Sequence, residues 1–180
     1  MNPAPETLTQ DYFTLFGLPR KLVISMADLQ TRFYALSRKH HPDRFARRPE
    51  AEQEHAENVT ALLNDGYRVL RDPIQRAEYL LSQEGFDIGE QRSKDVPPEL
   101  LEEVFELNML LEQTPDRSEL EEARSKFEGM MSEAMQELNE LFHKYDAAQD
   151  RSFLESLRGV LNRRRYIQNL MRDVEKALSK

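Results

Sequence analysis

The sequence predicts an all-α protein in two parts: a helical hairpin with flanking short helices, then an antiparallel three-helix bundle. Three observations carry this expectation. Glycine is scarce, six in 180 residues, and few segments favour β-branched residues, so strands are not expected. Apolar residues recur three and four positions apart through most of the chain. Finally, Ser, Thr or Asp stands where several of those runs begin, twice followed by a proline.

The elements follow in order. DYFTLFGLP (11–19) reads as a short amphipathic turn or helix, stopped by Gly17 and Pro19. Ser25 with Asp28 three residues later resembles a capping box and opens a second helix. Leu29, Phe33 and Leu36 form its apolar stripe, while Arg32, Arg38 and Lys39 fall largely off it. This helix must end near His41, because Pro42 disfavours helical backbone in the residue before it. A third helix is expected from about Glu50 to Leu70, with Val59, Leu62, Leu63, Tyr67 and Leu70 as its apolar positions. Asp72-Pro73 reads as N-cap and first residue of a fourth, ending near Gly85. The polar stretch GFDIGEQRSKDVPP (85–98) is expected to be a linker, which makes 10–84 one domain and 99–180 the other.

Longer helices are expected beyond the linker. Glu99 to Gln113 carries Leu100, Leu101, Val104, Phe105, Leu107, Leu110 and Leu111. Thr114-Pro115 is expected to cap a helix in which Leu120, Phe127, Ala134, Leu138, Leu141 and Tyr145 recur at helical spacing. Asp150 caps a last one with Phe153, Leu157, Val160, Ile167, Met171, Val174 and Leu178. Three amphipathic helices with short connections make an antiparallel bundle.

Composition removes several function classes. There is no cysteine, hence no disulfide, thiolate zinc site or Cys-held cluster within this chain. MNPAPETLTQ has neither a basic n-region nor an apolar h-region, and no run approaches the roughly 20 apolar residues of a membrane span. No signal peptide and no membrane association are expected, and the expected compartment is the cytoplasm. The net charge of −8 is uneven. Residues 1–80 are balanced, and the whole excess lies in 81–180. Within the balanced half, residues 20–48 hold eight basic residues against Asp28 and Asp43. The local field there is positive, which suits an acidic partner surface.

The densest part of that field is RKHHPDRFARRP (38–49). His40, His41 and Asp43 are possible metal ligands, but adjacent residues at a helix end diverge and flanking arginines repel a cation. A His–Asp hydrolytic pair lacks a nucleophile and a third partner, and no Gly-rich phosphate loop is present. Nucleic acid fits poorly, because Phe45 is the only interleaved aromatic and the chain is acidic overall. No catalytic residue, metal or cofactor is therefore expected. Two readings remain, an ordinary solvated basic loop and a loop that another protein reads.

His41-Pro42-Asp43 between two amphipathic helices, after a basic helix face and before NDGYRVLRDPIQRAEYLL (64–81), resembles the J-domain, the helical module that activates DnaK-type chaperone ATPases. DYFTLFGLP, HPDRF and RAEYLL, followed by a linker and an acidic bundle, further resemble HscB-type J-domain co-chaperones of iron–sulfur cluster assembly. A general DnaJ would follow its J-domain with Gly-rich and Cys-rich regions, and some eukaryotic HscB relatives carry an N-terminal Cys-rich module. This chain has neither. The resemblance implies a co-chaperone that is not itself an enzyme. His41, Pro42 and Asp43 would dock on a DnaK/HscA-type chaperone ATPase, with Arg32, Arg38, Lys39 and Arg44 steering the approach. A generic J-domain protein with a different client is the alternative, and a His/Asp metal-dependent hydrolase the reading from another class.

PPELLEEVFELNMLLEQ (97–113) holds five Glu, no Lys or Arg, and too many apolar residues for one stripe, so some must face away from the bundle core. The resemblance implies that this helix contacts an IscU-type scaffold protein through Leu101, Phe105, Glu106 and Met109, with Tyr166 from the last helix nearby. The chain departs from the family pattern in reading Leu101-Glu102-Glu103 where Leu-Met-Glu is usual, and in placing Met109 where an acidic residue is common. RRRY (163–166) is expected to pair with surface glutamates rather than with nucleic acid.

Overall fold

Asp11 and Ser25 begin the N-terminal architecture by capping. Asp11 accepts the Thr14 N–H and opens α1 (Tyr12–Leu15); Ser25 accepts the Asp28 N–H and opens α2 (Met26–His40). Asp28 does not return the bond as a capping-box partner. Its carboxylate instead accepts from Arg32 Nε one turn on, at 2.9 Å. The computed structural model describes residues 11–86, 98–113 and 115–179. By backbone contacts the chain divides into two compact units, Met1–Leu80 and Leu81–Lys180. Most of the stretch expected to be a linker, residues 87–97, lies outside the described residues, as do residues 1–10.

In the first unit, α2 and α3 (Glu50–Arg71) form a hairpin. Phe33 stacks on Tyr67 with ring centroids 4.3 Å apart, and Leu29, Val59, Leu63 and Leu70 are buried. The expected stripe on α2 is therefore deepest at Leu29, with Phe33 and Leu36 half-buried. α1 lies against α3 at Gly66, where an added Cβ would meet Tyr12 Cδ1 at 2.9 Å and Phe16 Cε2 at 3.0 Å. Only a residue without a side chain permits this approach. Gly17, at φ 61°, turns the chain out of α1.

α4 (Pro73–Gln83) starts as expected, with Asp72 Oδ1 accepting the N–H groups of Ile74 and Gln75. Tyr79 reaches back to α1. Its hydroxyl accepts the Tyr12 N–H at 2.9 Å and donates to Asp11 Oδ1 at 3.3 Å, while its ring stacks on Tyr12 at 4.7 Å. Burial pushes the Asp11 carboxyl up, but the hydrogen bonds from Thr14 outweigh it and hold the group below the usual carboxylate range. Arg76 is buried and donates to the carbonyls of Leu22 and Leu70, fixing the 18–25 loop to the end of α3.

In the second unit, a short 3₁₀ turn (Pro98–Leu100) precedes α5 (Leu101–Glu112), so the regular helix starts two residues later than the sequence suggests. The cap of α6 (Arg117–Ala148) is not at the expected Thr114, which lies outside the described residues. Asp116 is the N-cap, accepting the Glu119 N–H at 3.0 Å, and Glu119 accepts the Asp116 N–H at 2.9 Å. This reciprocal pair satisfies two donors at once, where a threonine cap followed by proline satisfies one, so the helix starts later. α6 turns into α7 (Arg151–Leu178) through Gln149, in the left-handed region at φ 53°, and Asp150, whose side chain accepts the Ser152 N–H. With only two residues between them the helices run antiparallel. They close a core of Phe127, Ala134, Leu138 and Phe142 with Leu157, Ile167 and Val174. Arg163 pairs with Glu137 across this hairpin, as expected for the RRRY segment.

Candidate functional site

Pro42 organises the loop between α2 and α3. It holds His41 in extended backbone, at φ −59° and ψ 129°, which ends α2 at His40, and it starts the 3₁₀ turn Pro42–Arg44. The turn closes through Arg44 N–H to His41 C=O at 3.0 Å and Phe45 N–H to Pro42 C=O at 2.8 Å. At the other end of the loop, Arg48 N–H donates to Phe45 C=O at 2.8 Å. Two side chains tie the loop to its helices. Thr60 on α3 shares its hydroxyl proton between the Ala56 carbonyl at 2.8 Å and the His40 carbonyl at 3.2 Å, and Arg44 Nη1 donates to the Arg38 carbonyl at 3.2 Å.

His41 and Asp43 also order each other. Asp43 N–H donates to His41 Nδ1 at 3.3 Å, and Asp43 Oδ2 lies 3.5 Å from the same nitrogen. Nδ1 can accept the Asp43 N–H or donate to the Asp43 carboxylate, according to the tautomer. The Asp43 side chain is 90% exposed and that of His41 57%. The loop therefore shows solvent a carboxylate, an imidazole edge and a proline ring on a backbone held from both sides.

The basic residues around it divide. Arg38, Lys39 and Arg44 are exposed, and so are Arg47 and Arg48, which belong to the same basic field. Arg32 is engaged inside the unit. Besides Asp28 it donates through Nη1 to the carbonyls of Phe16 at 3.1 Å and Gly17 at 2.7 Å, the otherwise open end of α1. A basic residue on the polar side of a helix gives no sequence signal for such a grip. The structural parts played by Gly66 and Arg76 were equally hidden, since each depends on what the fold brings opposite.

On α5 the exposed large apolar residues are Leu101 (55%), Phe105 (66%) and Met109 (42%), spaced four apart and so on one line. Leu107, on the other side of the helix, is buried. Glu106 is held by Lys126 of α6 at 2.9 Å, and this hydrogen bond raises the lysine's pKa against the opposing effect of burial. Tyr166 is half-buried on α7 and shares no ring contact with Phe105 among the described residues. No group of three or more His, Asp or Glu among the described residues is arranged to hold a metal ion, and no helix among them is long and apolar enough to cross a membrane.

Two family models match the chain: the DnaJ domain over residues 11–79 and the HSCB C-terminal oligomerisation domain over residues 96–175. Among solved structures, the chain is similar to the human co-chaperone protein HscB, at 28% identity and a TM-score of 0.70, covering 96% of this chain and 84% of that one. It is also similar to the chaperone HscB from Vibrio cholerae, at 29% identity and a TM-score of 0.65, covering 92% of this chain and 96% of that one.

Proposed function

Since this chain belongs to the HscB-type J-domain co-chaperones, which serve iron–sulfur cluster assembly and are not catalytic enzymes, we propose that it brings an IscU-type scaffold protein to a DnaK/HscA-type chaperone and triggers that chaperone's ATPase. The observation that carries the reading is the His41-Pro42-Asp43 loop, exposed at its polar groups and fixed in its backbone. A docking loop of this kind loses little conformational entropy on binding. Asp43 offers an open carboxylate to an arginine of the chaperone, and His41 its exposed imidazole edge as donor or acceptor. Arg38, Lys39 and Arg44 steer an acidic chaperone surface toward the loop, in a manner that rising salt weakens. Arg32 contributes indirectly, by holding α1 against α2.

The scaffold reading rests on α5. Leu101, Phe105 and Met109 are exposed together in a helix with free access from solvent, a cost in hydration that a partner's apolar surface would remove. The proposed contact set adds Glu106 and Tyr166. Hydrolysis takes place in the chaperone, and this chain contributes position and timing.

Steady-state ATP turnover by a DnaK-type chaperone tests the first half. The wild-type chain raises it, and Asp43→Asn returns it to the basal rate with helicity unchanged. Full stimulation by the variant would overturn the assignment. Pull-down of an IscU-type scaffold by the full chain and by residues 99–180 tests the second half.

A further inference from the structure

The exposed apolar line of α5 ends on a sulfur atom. Met109 follows Leu101 and Phe105 at four-residue intervals and is open to solvent like them. The chain has no cysteine, so its methionines hold all of its sulfur. Among the described residues Met26, Met109 and Met135 are exposed, while Met130, Met131 and Met171 are half-buried. Met26 opens α2 and Met135 lies on α6, which leaves Met109 as the sulfur of the α5 line.

A thioether suits a binding face while it is reduced. It is apolar, unbranched and polarizable, and moulds itself to a partner's surface. Oxidation reverses each of these advantages. Methionine sulfoxide carries a polar S–O group that must keep its water or find a donor, so pressing it against an apolar surface is unfavourable. Leu101 and Phe105 have no comparable chemistry, and the line therefore has one position at which its apolar character can be switched.

We propose that Met109 is a site of reversible oxidation by a hydroperoxide, and that its sulfoxide form releases the partner of the α5 face. This rests on the scaffold reading above and adds a regulation to it. In the forward step a sulfur lone pair attacks one peroxide oxygen. The S–O bond forms, the O–O bond breaks, and the proton of the attacked oxygen passes to the leaving one, which departs as water or an alcohol. Sulfur gives up two electrons and the peroxide takes them. The return step needs a methionine sulfoxide reductase and a dithiol, which becomes a disulfide while the oxygen leaves as water. The segment RKHHPDRFARRP (38–49) contains no sulfur, so the loop after α2 is untouched by the same oxidant.

The full chain is treated with hydrogen peroxide, the excess is destroyed with catalase, and binding to an untreated IscU-type scaffold is measured by calorimetry. Peptide mass spectrometry reads oxidation at each methionine. Conversion of Met109 to its sulfoxide is expected to weaken binding roughly tenfold, and the two methionine sulfoxide reductases, one for each epimer, to restore it. Met109→Leu is expected to show the same affinity before and after peroxide. Met109→Gln, polar and of similar length, is expected to bind weakly without any oxidant. Met26→Leu/Met135→Leu is expected to stay sensitive, because Met109 is still present. Chaperone ATP turnover stimulated by the chain alone should not change on oxidation. Unchanged affinity with Met109 oxidised, a reduced Met109 where Met26 and Met135 have reacted, or an equal loss in Met109→Leu would overturn the proposal. Failure of the untreated chain to bind the scaffold would instead refute the scaffold reading, and the regulation with it.

Discussion

The loop after α2 and the outer line of α5 offer binding groups in opposite ways. The loop exposes charge and hydrogen-bonding groups, which water already solvates, and its specificity comes from a backbone held by Pro42, Thr60 and Arg44. α5 exposes Leu101, Phe105 and Met109, which water solvates poorly, on a backbone that any helical sequence would supply. In the loop the conformation is the unusual part; on α5 it is the choice of side chains. A loop of the first kind is damaged most by changing one polar group, and a face of the second kind by removing apolar area.

That contrast can be broken at four points. Asp43→Asn has the largest expected effect, a loss of at least about tenfold in ATPase stimulation from removal of one desolvated charge pair, read by coupled ATP turnover. Leu101→Ala/Phe105→Ala is expected to cost about 2 kcal/mol or more in scaffold binding, roughly thirtyfold in Kd. Calorimetry measures it, and because both residues are exposed, unchanged thermal unfolding should accompany it. Gly66→Ala drives a methyl group toward the Tyr12 and Phe16 rings and is expected to destabilise the first unit by about 1–3 kcal/mol. If stimulation per folded molecule survives in that variant, the loop is held by α2 and α3 alone. The smallest effects have the opposite sign. At Gly129 and Gly159 an added Cβ meets nothing within 4 Å, so alanine at either is expected to stabilise the second unit by about 0.5–1 kcal/mol in chemical denaturation.

Helix ends and the exposed triplet were legible in the sequence because their causes are local. Ser25, Asp72 and Asp150 each accept backbone N–H groups within three residues, and Pro42 acts on its immediate neighbour. Thr114-Pro115 misled because the same stretch held a better local solution two residues later, in Asp116 with Glu119. Arg32, Gly66 and Arg76 were not legible as structural residues, since their partners lie 15 to 54 positions away or on another helix. On α5, the excess of apolar residues signalled that some must be exposed, and the fold selected Leu101, Phe105 and Met109 over Leu107.

The reach of Tyr79 back to Tyr12 and Asp11 spans 67 and 68 positions, and this sets an order of events during synthesis. The α2–α3 hairpin depends on nearer neighbours and can form once α3 has left the ribosome; α1 can already pack on Gly66 and Arg32 but gains its Tyr79 contacts only after α4 follows. The loop after α2 thus takes shape on a nascent chain whose first helix still lacks its contact with Tyr79. The antiparallel pair α6 and α7, joined by two residues, is synthesised last, so the loop after α2 can be in place before the second unit is complete.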